Sequence, residues 1–281
     1  MKKLSTILIA LLLLLSAEGQ ILRYSNYTAP VPPVETPDFT SEDYEAVYNA
    51  FATKPHADTA DIFNDFVYSL DSAGFWDRIY YLNVYCGATT EADAVINWVN
   101  PGTNDASAMN TPTFYRYRGF DFNGSNQYLN TNFNPNGVVA QDDATAMIYV
   151  REDTQEAANV FSAYDGNYFS MTPRNASNQV SWQINQTAGE AQTLAAWNGF
   201  WIISRRGSTE SECYRNGTSV DTSTDVSTAV PNATFWVGRH ASAYGTRETS
   251  LFIVTDGVSD SEAANWNTIV TRLVTRLGIG I

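Results

Sequence analysis

The chain has 281 residues, more than the ~100–200 of a typical single domain, so one large domain with a smaller companion is expected. Charged residues make up 16% against 44% hydrophobic, with 16 Tyr, 14 Phe and 7 Trp. Its solvated loops are therefore built from Asn, Ser, Thr and Gly, which suits many short strands better than a helical protein. A net charge of −14, from 16 Lys and Arg against 30 Asp and Glu, excludes nucleic acid as a partner, because phosphate binding rests on basic side chains.

Met1, Lys2 and Lys3 precede an apolar run at 7–15 and then the small residues Ser16, Ala17 and Gly19. That is the order of a secretory signal, which predicts a signal peptide at 1–19, cleavage after Ala17 or Gly19, and export. The rival reading is an uncleaved membrane anchor, for which 4–17 is shorter than the ~20 residues that span a bilayer. Membrane contact is expected through this segment alone. Residues 20–38 hold Pro30, Pro32, Pro33 and Pro37 and predict an extended linker or anchoring arm.

Residues 39–100 read as a small helical cap. Thr40 or Ser41 is placed to cap a helix whose apolar stripe is Tyr44, Val47, Tyr48 and Phe51, ended by Lys54 and Pro55. A second helix fits 58–73, with Ile62, Phe63, Phe66, Val67 and Leu70 on one side and Gly74 at its C-terminal cap. A third, very aromatic helical segment is expected at 75–85 and a short fourth at 91–99.

After Asn100, Pro101 and Gly102 the period changes, and 101–281 reads as one jelly-roll domain. About eleven short strands with turn signals every ~8–15 residues mark a mainly-β sandwich or jelly roll. Asn216 and Gly217 give the strongest hairpin signal, since both residues tolerate positive φ. A C-terminal helix at 259–277 has Ser259 or Ser261 as cap and buries Trp266, Ile269, Val270, Leu273 and Leu277.

From about residue 40 onward a series of motifs looks familiar: INWVNPG at 96–102, NTPTF at 110–114, FDFNGSNQYLNTNFNP at 120–135, MIYVRED at 147–153, AYDG at 163–166, PRNASNQ at 173–179, YRNGTSV at 214–220 and TDGVSDSEAANWNTIVTRLVTRLG at 255–278. Together they resemble phage structural and tail-appendage proteins with a concanavalin A-like (laminin-G-like) jelly-roll lectin domain. The resemblance implies a non-enzymatic virion-surface protein, such as a spike, tail appendage or decoration, that binds host surface glycans. Its other implied partners are virion proteins or further copies of itself. Two alternatives stay open: a structural virion subunit without sugar binding, and a secreted bacterial carbohydrate-binding protein or glucanase-like hydrolase. The signal-like N-terminus departs from the virion pattern and leaves phage and bacterial origin both open.

Glycoside hydrolysis on this fold needs carboxylates alternating along one strand, about 5–9 Å apart. Neither the E-x-D-x-x-E nor the E-x-D-x-E spacing occurs, and the nearest pairs, Glu152 with Asp153, Glu210 with Glu212 and Asp256 with Asp260, fall at expected turns or strand ends. His56 and His240 are the only histidines, with no second ligand at metal spacing. No catalytic residue and no organic cofactor is therefore expected. The resemblance to laminin-G-like domains implies calcium at loop carboxylates, for which Asp142, Asp143 and Asp165 are the candidates. Sugar recognition needs aromatic faces beside hydrogen-bonding groups, and Tyr164, Asp165, Asn167, Arg174, Trp182, Arg239 and Tyr244 supply them. Trp182 has core packing as its rival role. Cys86 and Cys213 are either a disulfide or two buried free thiols.

Overall fold

The computed structural model describes residues 39–280; the signal-like segment at 1–19 and the proline-rich arm at 20–38 lie outside the described residues. Helix α1 (Glu42–Ala50) starts at Ser41, whose hydroxyl accepts the Tyr44 N–H, and it buries Tyr44, Val47 and Tyr48. Helix α2 (Ala57–Ser72) buries Phe63, Phe66, Val67 and Leu70. It stops where Gly74 takes φ of +72°, and the Gly74 and Phe75 amides then donate to the carbonyls of Asp71 and Leu70.

The expected third helix at 75–85 is instead a short 3-10 turn, Trp76–Arg78, followed by strand β1 (Ile79–Val84). The reason is burial on two faces. Leu82 and Val84 join the core under the helices, while Tyr81 and Tyr85 join the core between the sheets. A helix would have buried one stripe only, and tertiary pairing overrides the local pattern. The fourth helix is the single turn α3 (Glu91–Ala94), capped by Thr90.

Two antiparallel sheets form the sandwich. The large one has the order β13 (Thr218–Ser223), β12 (Glu210–Arg215), β11 (Gly199–Gly207), β6 (Ala144–Val150), β17 (Thr249–Thr255), β4 (Gly119–Asp121) and β3 (Thr113–Tyr115), with β1 also paired to β17. The small one has the order β10 (Glu190–Thr193), β9 (Gln179–Gln186), β8 (Tyr168–Thr172), β7 (Phe161–Tyr164), β14 (Trp236–Val237), β5 (Tyr128–Asn130) and β2 (Ser107–Met109). A ribbon of β15 (Arg239–His240) and β16 (Ala243–Tyr244) stands apart from both.

The large sheet is buried on both faces. Met147, Tyr149, Phe200, Ile202, Leu251 and Ile253 point to the helices, and Ile148, Val150, Trp201, Ile203, Phe252 and Val254 point to the small sheet. Its strands consequently read as continuous apolar runs rather than alternations. Helix α4 (Asp260–Arg276) completes the helical layer; Ser259 and Glu262 form a capping box, and Trp266 stacks on Phe75 at 4.7 Å. Trp98 is ringed by Tyr44, Phe51, Phe63 and Phe66 with centroids 5.0–6.3 Å away.

The Asn216–Gly217 turn joins β12 to β13 with both residues at positive φ, and it packs so closely on α4 that a Cβ on Gly217 would sit 2.9 Å from the Ala264 Cα. Cys86 lies in the helix-side core and Cys213 in the inter-sheet core, and both are free thiols. Burial pushes the Cys86 thiol up to about 12. Among the described residues no helix is long and apolar enough to cross a membrane.

Candidate functional site

Strand alternation decides which side chains leave the core of the small sheet. Leu129, Phe161, Ala163, Phe169, Met171, Val180, Trp182, Ile184 and Val237 point inward. Their neighbours point out and line up across the strands: Asn130, Trp236, Ser162, Ser170 and Gln183 are successive register partners. Tyr164 and Tyr168 form the next pair along, with ring centroids 4.4 Å apart. Tyr164 is 41% exposed, and Tyr168 and Trp236 are half-buried.

The β15–β16 ribbon lies against this row. His240 Nδ1 is 2.8 Å from Ser162 Oγ, and the imidazole is 5.3 Å from the Tyr164 ring and 5.8 Å from that of Tyr168. Burial holds His240 below its ordinary pKa, which favours the neutral ring. The Arg239 guanidinium is 4.0 Å from the Trp236 ring, 4.6 Å from Tyr128 and 5.1 Å from Tyr244, and its Nε donates to the Ala241 carbonyl. The result is a strip of aromatic rings running from Tyr164 to Tyr244, edged by serine, asparagine, histidine and arginine.

Asp165 and Asn167 sit at the Tyr164 end of the strip. The Asp165 carboxylate accepts the backbone N–H groups of Asn232 at 2.9 Å and Asn167 at 3.1 Å, which holds it below the usual carboxylate range. Thr228 donates to the Asn167 side chain at 2.7 Å, so this turn is fastened to the loop around 228–232. Tyr164, Asp165, Asn167, Arg239 and Tyr244 thus belong to one face.

Two of the expected sugar contacts do not join them. Arg174 is bound to Asp153 and Asn178, both at 3.0 Å, with its guanidinium 5.8 Å from Trp197. Trp182 is only 1% exposed and packs between the sheets, its indole N–H donating to Asp221 at 2.9 Å. No sugar reaches its ring. The calcium candidates also separate: Asp142 accepts from Ser227, Asp143 from the Gly257 N–H at 2.7 Å, and Asp165 from the amides above. Each staples a loop, and among the described residues no group of three His, Cys, Asp or Glu side chains is placed to hold a metal.

The acidic pairs are similarly committed. Glu210 and Glu212 share a face of β12, where Arg206 bridges them at 2.9 and 3.0 Å and the Tyr214 hydroxyl donates to Glu212 at 2.7 Å. Arg174 takes Asp153, and Arg78 takes Asp256. Trp236, Tyr128, Tyr168, His240 and Ser162 escaped the sequence reading, although parity reveals several of them. Trp236 lies one residue from Phe235 and Val237, both inward, and so has to face out.

No family model and no curated protein sequence matches the chain. Solved structures do. A mutant of Trypanosoma rangeli sialidase displaying trans-sialidase activity aligns over 76% of this chain and 39% of its own, with TM-score 0.52 and 9% identity. Botulinum neurotoxin type C, whose cell entry is described as dependent on interaction with two ganglioside molecules, aligns over 70% and 52%, with TM-score 0.52 and 11% identity. The binding domain of botulinum neurotoxin DC, in complex with rat synaptotagmin II, aligns over 69% and 52%, with TM-score 0.50 and 9% identity. The chain therefore spans about half the length of the toxin chains and less of the sialidase. At such identities the likeness is one of fold: a mainly-β sandwich of two antiparallel sheets, with helices before it and one after.

Proposed function

We propose that this chain is a non-enzymatic glycan-binding module, exported by its N-terminal segment and displayed on a virion surface as a spike, tail appendage or decoration. The outer face of the small sheet is its binding surface. One observation carries this reading: Tyr164, Tyr168 and Trp236 on the small sheet and Tyr244 on the ribbon stay partly open to solvent, among Asn130, Asn167, His240 and Arg239. Sugars present C–H faces that pack on aromatic rings and hydroxyls that need such polar neighbours. The ganglioside dependence of the type C neurotoxin, which shares the fold, agrees with this use of a sandwich. The commitment of Glu210 and Glu212 to Arg206 and Tyr214 speaks for adhesion over hydrolysis. Several copies on one particle would turn weak sites into firm attachment.

The test is a glycan array probed with the purified protein, its Tyr164→Ala and Trp236→Ala variants, and Tyr68→Ala on the helical layer as control. Binding lost in the first two and kept in the third supports the reading. Silence of the wild type across a broad array returns the chain to a structural subunit, and release of reducing sugar from polysaccharide would make it a hydrolase.

A further inference from the structure

Resting on that reading, we infer that the site selects acidic saccharides, with Arg239 taking the sugar carboxylate. Many of the solvent-side arginines are occupied by carboxylates: Arg174 by Asp153, Arg78 by Asp256 and Glu262, Arg118 by Glu248, and Arg206 by Glu210 and Glu212. Arg215 and Arg272, which have none, bond to Asn198 and Ser69 on the large sheet and helical layer, away from the aromatic strip. In a chain with nearly two acids for each base such pairing is easy to find. Arg239 nevertheless has no carboxylate partner among the described residues.

Its surroundings explain how it is held without one. Trp236, Tyr128 and Tyr244 pack on the guanidinium, and the Ala241 carbonyl takes Nε, so the fork is oriented by stacking and by one hydrogen bond. These contacts leave the two terminal nitrogens without a hydrogen-bond partner among the described residues, and their N–H groups match a carboxylate in a two-point contact. If the stacking served only to pin the ribbon, an uncharged long side chain would do the same. His240, next to Arg239 in the ribbon, packs against Tyr164 and Tyr168, so a saccharide spanning the strip from these tyrosines toward Trp236 would bring its acid group to Arg239. A neutral His240 neither competes for that carboxylate nor repels Arg239.

Calorimetry of the full chain with 3′-sialyllactose, trigalacturonate, their methyl esters and lactose tests this. The wild type is expected to bind one of the free acids about tenfold or more tightly than its ester, the yield of a charge-assisted hydrogen-bonded pair. Arg239→Gln is expected to bring acid and ester to the same affinity. The ester comparison on the wild type stands even if the variant disturbs the ribbon. Equal affinity for acid, ester and lactose overturns the acidic preference while the glycan-binding reading survives. A preference that persists in Arg239→Gln overturns the role of Arg239. No binding of any saccharide, here and on the array, removes both.

Discussion

On the helical side of the large sheet, Trp98 and Trp266 are fully enclosed, one in a ring of four aromatic side chains and the other stacked on Phe75. On the opposite surface of the sandwich, Tyr164, Tyr168, Trp236 and Tyr244 have the same chemistry and remain partly open. Coverage makes the difference. Among the described residues, α1, α2 and α4 cap one surface, while the short β15–β16 ribbon lies on the other. Aromatic surface that a fold leaves uncovered beside polar groups is available for a ligand, whereas the enclosed rings supply cohesion.

Removing a ring from each side should separate the two roles. Trp266→Ala is expected to cost ~3–5 kcal/mol, read as an earlier midpoint in urea, while Trp236→Ala costs about 1 kcal/mol through its lost contact with Arg239. Equal losses would dissolve the contrast. Gly217→Ala should follow at roughly 1–3 kcal/mol, because the left-handed backbone and the approach to Ala264 both resist a methyl group; thermal unfolding would register it.

Acid is the next lever. His240 is held below its ordinary value, so the fold favours its neutral form. Its contribution is complete above the unfolded pKa of about 6.5 and declines as pH falls from there toward the folded value. Melting curves between about pH 7.5 and 5.5 should show a drop that His240→Gln lessens. The smallest effect on stability is expected at Tyr164→Ala, within ~0.5 kcal/mol, since that ring is exposed; a sugar-binding assay should show the larger change.

Much of the fold was written in local pattern. Ser259, one of two candidate caps, marks the start of α4, the Trp266, Ile269, Val270 and Leu273 stripe marks its buried face, and Asn216 with Gly217 marks a hairpin. Residues 75–85 misled because aromatic side chains satisfy either period when both faces are to be buried. In the site, Trp182 shares parity with Val180 and Ile184 and belongs inside, while Trp236 breaks parity with Phe235 and Val237 and belongs outside. The ribbon left no local signal. Its strands are two residues each, and the His240–Ser162 contact joins positions 78 apart in sequence. Charged turn residues such as Asp142 and Asp143 read as ligands in sequence because nothing local reveals that Ser227 and the Gly257 amide already claim them.

Strand β17 sits inside the large sheet, paired to β6 and β4 and also to β1, although β1 and β6 lie far before it in the chain. A growing polypeptide therefore carries β1 and β6 without their shared partner until residue 255 is available. Pairings between such distant segments close slowly, and apolar strands waiting for them are prone to aggregate. The sheet cannot zip until β17 has been made, and a truncation that removes 249–280 would leave an unclosed, sticky intermediate rather than a smaller sandwich.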